Sequence, residues 1–179
     1  WIATENGLIK YDGKNYKIFT ESQGLIGSDI SSVCEDYEGN IWITTQTGVS
    51  MFKNEAFVTY TDKENLSSIK INVVTEDSKG NILIGTNGSG VNVMKNGVIT
   101  PVVGIKELES ANVYAFFEDK DGKMWVGSEF NPIIILEYSN GTYKYSRSIN
   151  SLAGADVRTI TGILEDKNGN IWISSFGGG

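Results

Sequence analysis

An all-β fold of β-propeller blades, four-stranded antiparallel meanders of which about four form a partial propeller, is predicted by three observations. One motif recurs at near-constant spacing, the stretches between its copies read as short strands, and no segment sustains helical periodicity. The copies are Glu35-Asp36-x-x-Gly39-Asn40-Ile41-Trp42-Ile43, Glu76-Asp77-x-x-Gly80-Asn81-Ile82-Leu83-Ile84, Glu118-Asp119-x-x-Gly122-Lys123-Met124-Trp125-Val126 and Glu165-Asp166-x-x-Gly169-Asn170-Ile171-Trp172-Ile173, with Trp1-Ile2 as the tail of a fifth. The Trp/Leu positions 1, 42, 83, 125 and 172 are 41, 41, 42 and 47 residues apart.

Each unit reads as four strands, A to D. In the second unit they are Ile30–Glu35, Ile41–Thr44, Val49–Phe52 and Ala56–Tyr60. These runs are rich in β-branched and aromatic residues and bounded by turn formers. Between A and B, the Asp carboxylate accepts backbone N–H bonds two or three residues on, and the Gly three residues after it takes a left-handed conformation. Between C and D stand Asp12-Gly13, Asn54-Glu55, Asn96-Gly97 and Asn140-Gly141, and the three that contain Gly are two-residue hairpin signals.

A meander of about 40 residues cannot bury both its faces alone, whereas stacking blades around an axis does so and leaves only short edges. The strand-B Trp is then a plate between blades. Strand A lies nearest the axis, consistent with its mostly small third residues Ser32, Val73, Ala115 and Gly162. The expected division is strands B to D of a first blade over 1–29, blades over 30–70, 71–112 and 113–156, and the start of a fifth over 157–179. Both ends read as cut within a blade.

The 179 residues carry a net charge of −7, which disfavours nucleic acid and anionic membrane surfaces. The single cysteine, Cys34, can form no intrachain disulfide and reads as a small buried hydrophobe. There is no histidine, which removes Ser/His/Asp and Cys/His catalysis and histidine–metal sites from this chain. No cofactor or metal is expected. Asp119-Lys120-Asp121-Gly122 and Asp166-Lys167-Asn168-Gly169 lack calcium-loop spacing and read as hairpin turns. The repeated Glu-Asp pairs read as structural rather than catalytic, because a catalytic pair rarely recurs in every blade.

The motif resembles the two-component regulator propeller repeat. The resemblance is carried by Asp77-Ser78-Lys79-Gly80-Asn81-Ile82-Leu83-Ile84-Gly85-Thr86, by Gly122-Lys123-Met124-Trp125-Val126-Gly127-Ser128, by the steps Gly7-Leu8, Gly48-Val49 and Gly90-Val91, and by the inter-blade loop Gly24–Ile30. Leu83 in place of Trp, and Asn131-Pro132-Ile133 in place of the Gly-Leu step, depart from it. The resemblance implies the extracytoplasmic sensor region of a membrane-spanning histidine kinase or hybrid two-component regulator, whose relatives often sense carbohydrates. Streptogramin-lyase-like propellers share a similar repeat but use histidine.

In an up-and-down blade the B–C and D–A loops share one face, and here these are the longer loops. On that face Ser31, Asn72, Tyr114 and Thr161 occupy one place in successive inner strands. The ligand-binding candidates are Gln46, Asn72, Asn87, Tyr114, Glu129, Phe130, Asn131 and Arg158. Phe130 and Tyr114 would stack on a sugar ring while Asn, Glu and Arg bind hydroxyls. The leading expectation is a non-catalytic sensor module with a small-molecule or oligosaccharide ligand. It meets a membrane only through other parts of its parent and can self-associate through open blade faces. The alternatives are a propeller enzyme such as a lyase, with its reactive residues in other blades, and a protein-interaction scaffold.

Overall fold

The computed structural model describes residues 1–130, 132–150 and 158–177. The motif copies close tight hairpins, and successive hairpins build five antiparallel sheets. The first holds β1 (Ile2–Thr4), β2 (Gly7–Tyr11) and β3 (Tyr16–Phe19). The second holds β4 (Ile30–Glu35), β5 (Ile41–Thr45), β6 (Gly48–Lys53) and β7 (Ala56–Tyr60). The third holds β8 (Ile71–Glu76), β9 (Ile82–Thr86), β10 (Val91–Lys95) and β11 (Val98–Pro101). The fourth holds β12 (Val113–Glu118), β13 (Lys123–Ser128), β14 (Ile133–Ser139) and β15 (Thr142–Ile149), and the last pairs β16 (Thr159–Glu165) with β17 (Ile171–Phe176). Within each sheet the strands are ordered as in the sequence, so every blade is an up-and-down meander.

The inner strands β4, β8, β12 and β16 lie side by side in succession, each packing on the next. Room for them comes from small residues. A Cβ on Gly127 of β13 would stand 2.5 Å from Ile160 of the following inner strand, and one on Gly85 of β9 would stand 2.8 Å from Val113. The Gly-Leu step has a comparable cause. Gly7, Gly48 and Gly90 have positive φ, and a Cβ there would approach the carbonyl oxygens of Phe19, Tyr60 and Leu108 to between 2.1 and 2.5 Å.

The core is a series of layers between blades. Trp42 packs with Val74, Ile82, Met94 and Ile99 of the next blade, and Leu83 packs with Met124, Leu136 and Tyr143 of the one after. Trp42 is 4% exposed, whereas the equivalent Trp172, in the last described sheet, is 61% exposed. At the other end Ile2, Tyr11, Tyr16 and Ile18 are also exposed. Among the described residues the terminal sheets share no strand pairing, so the blades form an arc with two uncovered apolar faces. The loops entering β4 and β8 begin with short 3-10 turns, Glu21–Gln23 and Asp62–Glu64, each closed by a capping box on Thr20 or Thr61. The buried Leu25 and Leu66 come just after their left-handed C-caps Gly24 and Asn65.

The C–D turns depart from expectation in two places. Asn54-Glu55, which lacks Gly, is a two-residue turn with both φ positive (51° and 62°), like Asn96-Gly97 and Asn140-Gly141. Asp12-Gly13, predicted as such a turn, instead begins a four-residue loop between Tyr11 and Tyr16. The Asp12 carboxylate accepts from the N–H groups of Lys14 (2.8 Å) and Asn15 (2.6 Å), and this local ring competes successfully with the tighter turn.

Candidate functional site: the inner rim and the inter-blade clefts

Every inner strand carries a β-bulge near its first residue. The register with strand B shifts between Ile30 and Ser32, Ile71 and Val73, Val113 and Ala115, and Ile160 and Gly162. The unpaired residues are therefore Ser31, Asn72, Tyr114 and Thr161, the four that occupy one place in the repeat. A bulge re-aims a side chain and leaves its residue out of the ladder. Ser31 and Thr161 are exposed, and Asn72 and Tyr114 are half-buried. The Asn72 amide nitrogen is buried with no hydrogen-bond partner among the described residues. Burial, and then the charge of Glu129, push the Tyr114 hydroxyl above its ordinary pKa.

The B–C loops stand over this row. Gln46 donates from Nε2 to Ser31 Oγ at 3.3 Å. Asn87 is exposed, and its backbone N–H donates to the Lys70 carbonyl at 2.8 Å. Glu129 accepts from Asn112 Nδ2 at 2.6 Å. Phe130 is 74% exposed in a left-handed conformation (φ 54°), rare for a bulky residue. Its N–H donates to the Arg158 carbonyl at 2.6 Å. Arg158 is exposed at the start of the fifth sheet, and Asn131 lies outside the described residues. The fold thus brings Gln46 to Ser31, Glu129 to Tyr114, and Phe130 to Arg158.

Ser128 reflects the departure that follows it. Thr4, Thr45 and Thr86 donate their hydroxyls to the carbonyls of Gly7, Gly48 and Gly90 at 2.7, 3.2 and 2.8 Å. Ser128, followed by Asn131-Pro132-Ile133 instead of the Gly step, has a buried hydroxyl with no such partner among the described residues.

On the opposite face the repeated Asp does more than brace a turn. Asp36 accepts from the N–H groups of Glu38 (3.0 Å) and Asn40 (2.8 Å), from Asn40 Nδ2 (2.8 Å) and from the Trp42 indole (2.8 Å). The backbone donors stand two and four residues on, rather than two and three. Asp119–Trp125 at 2.8 Å and Asp166–Trp172 at 3.0 Å repeat the indole bond, which satisfies the buried N–H at Trp42 and Trp125 and recurs at the exposed Trp172. Burial pushes the Asp36 carboxyl up, but the bonds from Asn40 and Trp42 outweigh it and hold it below its ordinary pKa. At Asp166 the Trp172 indole, then Asn170, hold the carboxyl well below the usual range. The fixed six-residue Asp-to-Trp spacing was the signal for this bond.

The repeated Glu reaches back to the preceding blade. Glu76 accepts the Tyr37 N–H at 2.7 Å, and Glu118 accepts the Ser78 N–H (2.6 Å) and hydroxyl (2.7 Å) and pairs with Lys79 (3.1 Å). Glu165 pairs with Lys120 at 3.4 Å. Thus the Glu-Asp pair divides its work: Asp closes its own hairpin and Glu fastens it to the neighbour. A cleft of about 320 Å³ opens between the second and third blades on this turn face, beside Trp42, Tyr60 and Glu76. None of the site candidates among the described residues lines it.

Comparisons with known proteins agree with this architecture. A family model described as "Two component regulator propeller" matches residues 24–47, 107–130 and 154–177, the first two running from an inter-blade loop through strands A and B. No curated protein matches the chain. The extracellular domain of the putative hybrid two component system BT4673 from B. thetaiotaomicron has 21% identity and a TM-score of 0.75, over 98% of this chain and 24% of its own. The corresponding domain of BT3049 from the same organism has 18% identity and a TM-score of 0.70, over 100% of this chain and 31% of its own. Virginiamycin B lyase from Staphylococcus aureus has 16% identity and a TM-score of 0.64, over 82% of this chain and 48% of its own. At such identities the likeness is one of fold, and the chain spans under a third of either extracellular domain. No helix among the described residues is long and apolar enough to cross a membrane. Over residues 24–47, 107–130 and 154–177 the chain matches the two component regulator propeller repeat, and its blades share the fold of these extracellular domains.

Proposed function

We propose that the chain is part of the extracytoplasmic sensing region of a membrane-anchored two-component signalling protein, that it is not itself catalytic, and that its inner rim binds a small molecule or oligosaccharide. The observation that carries this reading is the row of bulges, which sets Ser31, Asn72, Tyr114 and Thr161 on adjacent inner strands beneath the Gln46, Asn87 and Glu129 loops. A sugar presents both hydroxyls and apolar ring faces. The unpartnered Asn72 amide and the Glu129 carboxylate suit the hydroxyls, and Tyr114 with the exposed Phe130 suits the ring faces. The similarity to domains named as extracellular parts of two component systems supports the location and the signalling role.

The test is a thermal-shift screen of the 179-residue chain against oligosaccharides and other small polar metabolites, since a ligand that binds only the native form raises the melting temperature. A hit should lose its shift in Asn72→Ala and Tyr114→Ala while both variants melt cooperatively without ligand. No shift across a broad library, or a shift indifferent to both substitutions, would reject the rim as the site.

A further inference from the structure

Each junction between blades is built from two unlike faces. The forward face presents the strand-B plate and the inner-strand residue in register with it, Trp42 beside Cys34 in the second blade and Trp125 beside Phe117 in the fourth. The receiving face presents apolar residues of strands B, C and D. Ile84, Met94 and Ile99 of the third blade receive Trp42. Phe52 and Phe57 of the second receive Trp1 and Phe19 of the first, with the Trp1 and Phe52 rings edge to face at 5.5 Å. Among the described residues no junction brings a face against its own kind.

The two ends of the arc leave one face of each kind uncovered. On the last described sheet the forward face holds Trp172, Leu164 in register with it, and Phe176, all exposed. On the first sheet Tyr11 and Tyr16 pair across β2 and β3 as Phe52 and Phe57 pair across β6 and β7, and Ile2 stands where Ile43 and Ile84 stand in later blades. Ile2, Tyr11 and Tyr16 are likewise exposed, and with Ile9 they line an open hollow of about 340 Å³. This is the receiving face, and its hollow lies where the plate of a preceding blade sits at the internal junctions. Neither row holds a charged side chain, so bringing the two together strands no ion.

We propose that these faces fit a second copy of the same chain joined head to tail, with Trp172, Leu164 and Phe176 of one copy laid on Ile2, Tyr11 and Tyr16 of the next. The contact repeats between copies the junction that Trp1 makes with Phe52 and Trp42 with Met94 inside one chain. Burial of the exposed indole and rings drives it. Because the two faces differ, the contact is heterologous: every pair keeps one free face of each kind and extends into longer arcs or closes as a ring. Pairing of like faces would set plate against plate with no receiving residues between them. Ligand binding at the inner rim plays no part in this contact.

The experiment mixes two variants, each spoiled at one end. Tyr16→Lys spoils the receiving face and Leu164→Lys the forward face. Ile18→Lys and Trp172→Glu form a second pair, so that a folding defect in one variant does not decide the result. Circular dichroism and a cooperative melt check that each variant is folded. In sedimentation velocity at micromolar concentration the 179-residue parent chain should form a series of oligomers, and each variant alone should be monomeric. An equimolar mixture of Tyr16→Lys and Leu164→Lys should form a dimer and grow no further, because each chain brings the intact face that the other lacks. Native mass spectrometry with one variant ¹⁵N-labelled should find one chain of each kind in that dimer. A dimer of either folded variant alone would show that like faces pair. A mixture that stays monomeric, or a monomeric parent chain, would show that a second copy does not fit these faces. Any of these results overturns the proposal.

Discussion

Tyr143 of β15 donates its hydroxyl to Asp77 of the preceding blade, filling the place that an indole takes at Asp36, Asp119 and Asp166. The cause is visible in the sequence. Leu83 stands where the other copies have Trp and has no N–H to give, so the fourth donor to this carboxylate is supplied across the blade interface. Tyr143 also packs against Tyr138, with ring centroids 5.0 Å apart.

Leu83 and Tyr143 should therefore behave as one unit. Leu83→Trp alone overfills the interface and should cost about 1–3 kcal/mol. Tyr143→Ile alone strips Asp77 of a donor and opens a void, at a cost of about 2–4 kcal/mol. Together they recreate the Trp42–Ile99 packing, and the double variant should be more stable than the sum predicts by at least ~1 kcal/mol. Urea denaturation of the four proteins measures this coupling, and strict additivity would refute it.

Acid should weaken the propeller through its turn carboxylates. A carboxyl whose pKa is depressed on folding contributes stability above its unfolded value and loses it as pH falls through the folded one. Asp36 and Asp166 are both depressed, so the melting temperature should fall progressively below about pH 4. Asp36→Asn should flatten this dependence and cost about 1–3 kcal/mol at neutral pH, because an amide cannot accept from all the donors around it. Melting curves across pH settle both points.

The two staples should differ in sign. Glu118→Ala removes acceptors from Ser78 and Lys79 and should cost about 1–2 kcal/mol, with faster hydrogen exchange at the Ser78 amide. Glu76 has a raised pKa, so its ionised form opposes folding above that value and not below its ordinary one. Glu76→Gln should raise the melting temperature at pH 7, and the advantage should vanish below about pH 4. A loss of stability at pH 7 would show that the charge is not the dominant effect.

The uncovered faces around Ile18 and Trp172 should drive the isolated chain to self-associate. Sedimentation should give species larger than a monomer at micromolar concentration. Ile18→Lys together with Trp172→Glu should shift them towards monomer without loss of far-ultraviolet β signal. A monodisperse monomer for the parent chain would contradict this.

The blade architecture was legible in the sequence because its causes are local and repeated. Strand periodicity, Asp-x-x-Gly turns and the Trp spacing each act within a few residues, and copies about 40 residues apart confirm one another. The positive φ of Gly39, Gly80, Gly122 and Gly169 followed from the same pattern. Less was legible at the Asp12 turn, where side-chain bonds to Lys14 and Asn15 override a familiar dipeptide. The alignment of Ser31, Asn72, Tyr114 and Thr161 could be read from the sequence, but their bulges could not, since register is settled only when two strands pair.

The sequence by itself determined the blade, its turns and the stacking that buries its plates, because each rests on short-range stereochemistry and on apolar area that must leave water. Tertiary structure alone decided what happens between blades. Glu76 reaches Tyr37, Tyr143 answers for the missing indole at Leu83, and a cleft opens beside Trp42. These contacts join residues some 40 to 66 positions apart. Their geometry depends on how one twisted sheet settles on the next, which no local pattern encodes.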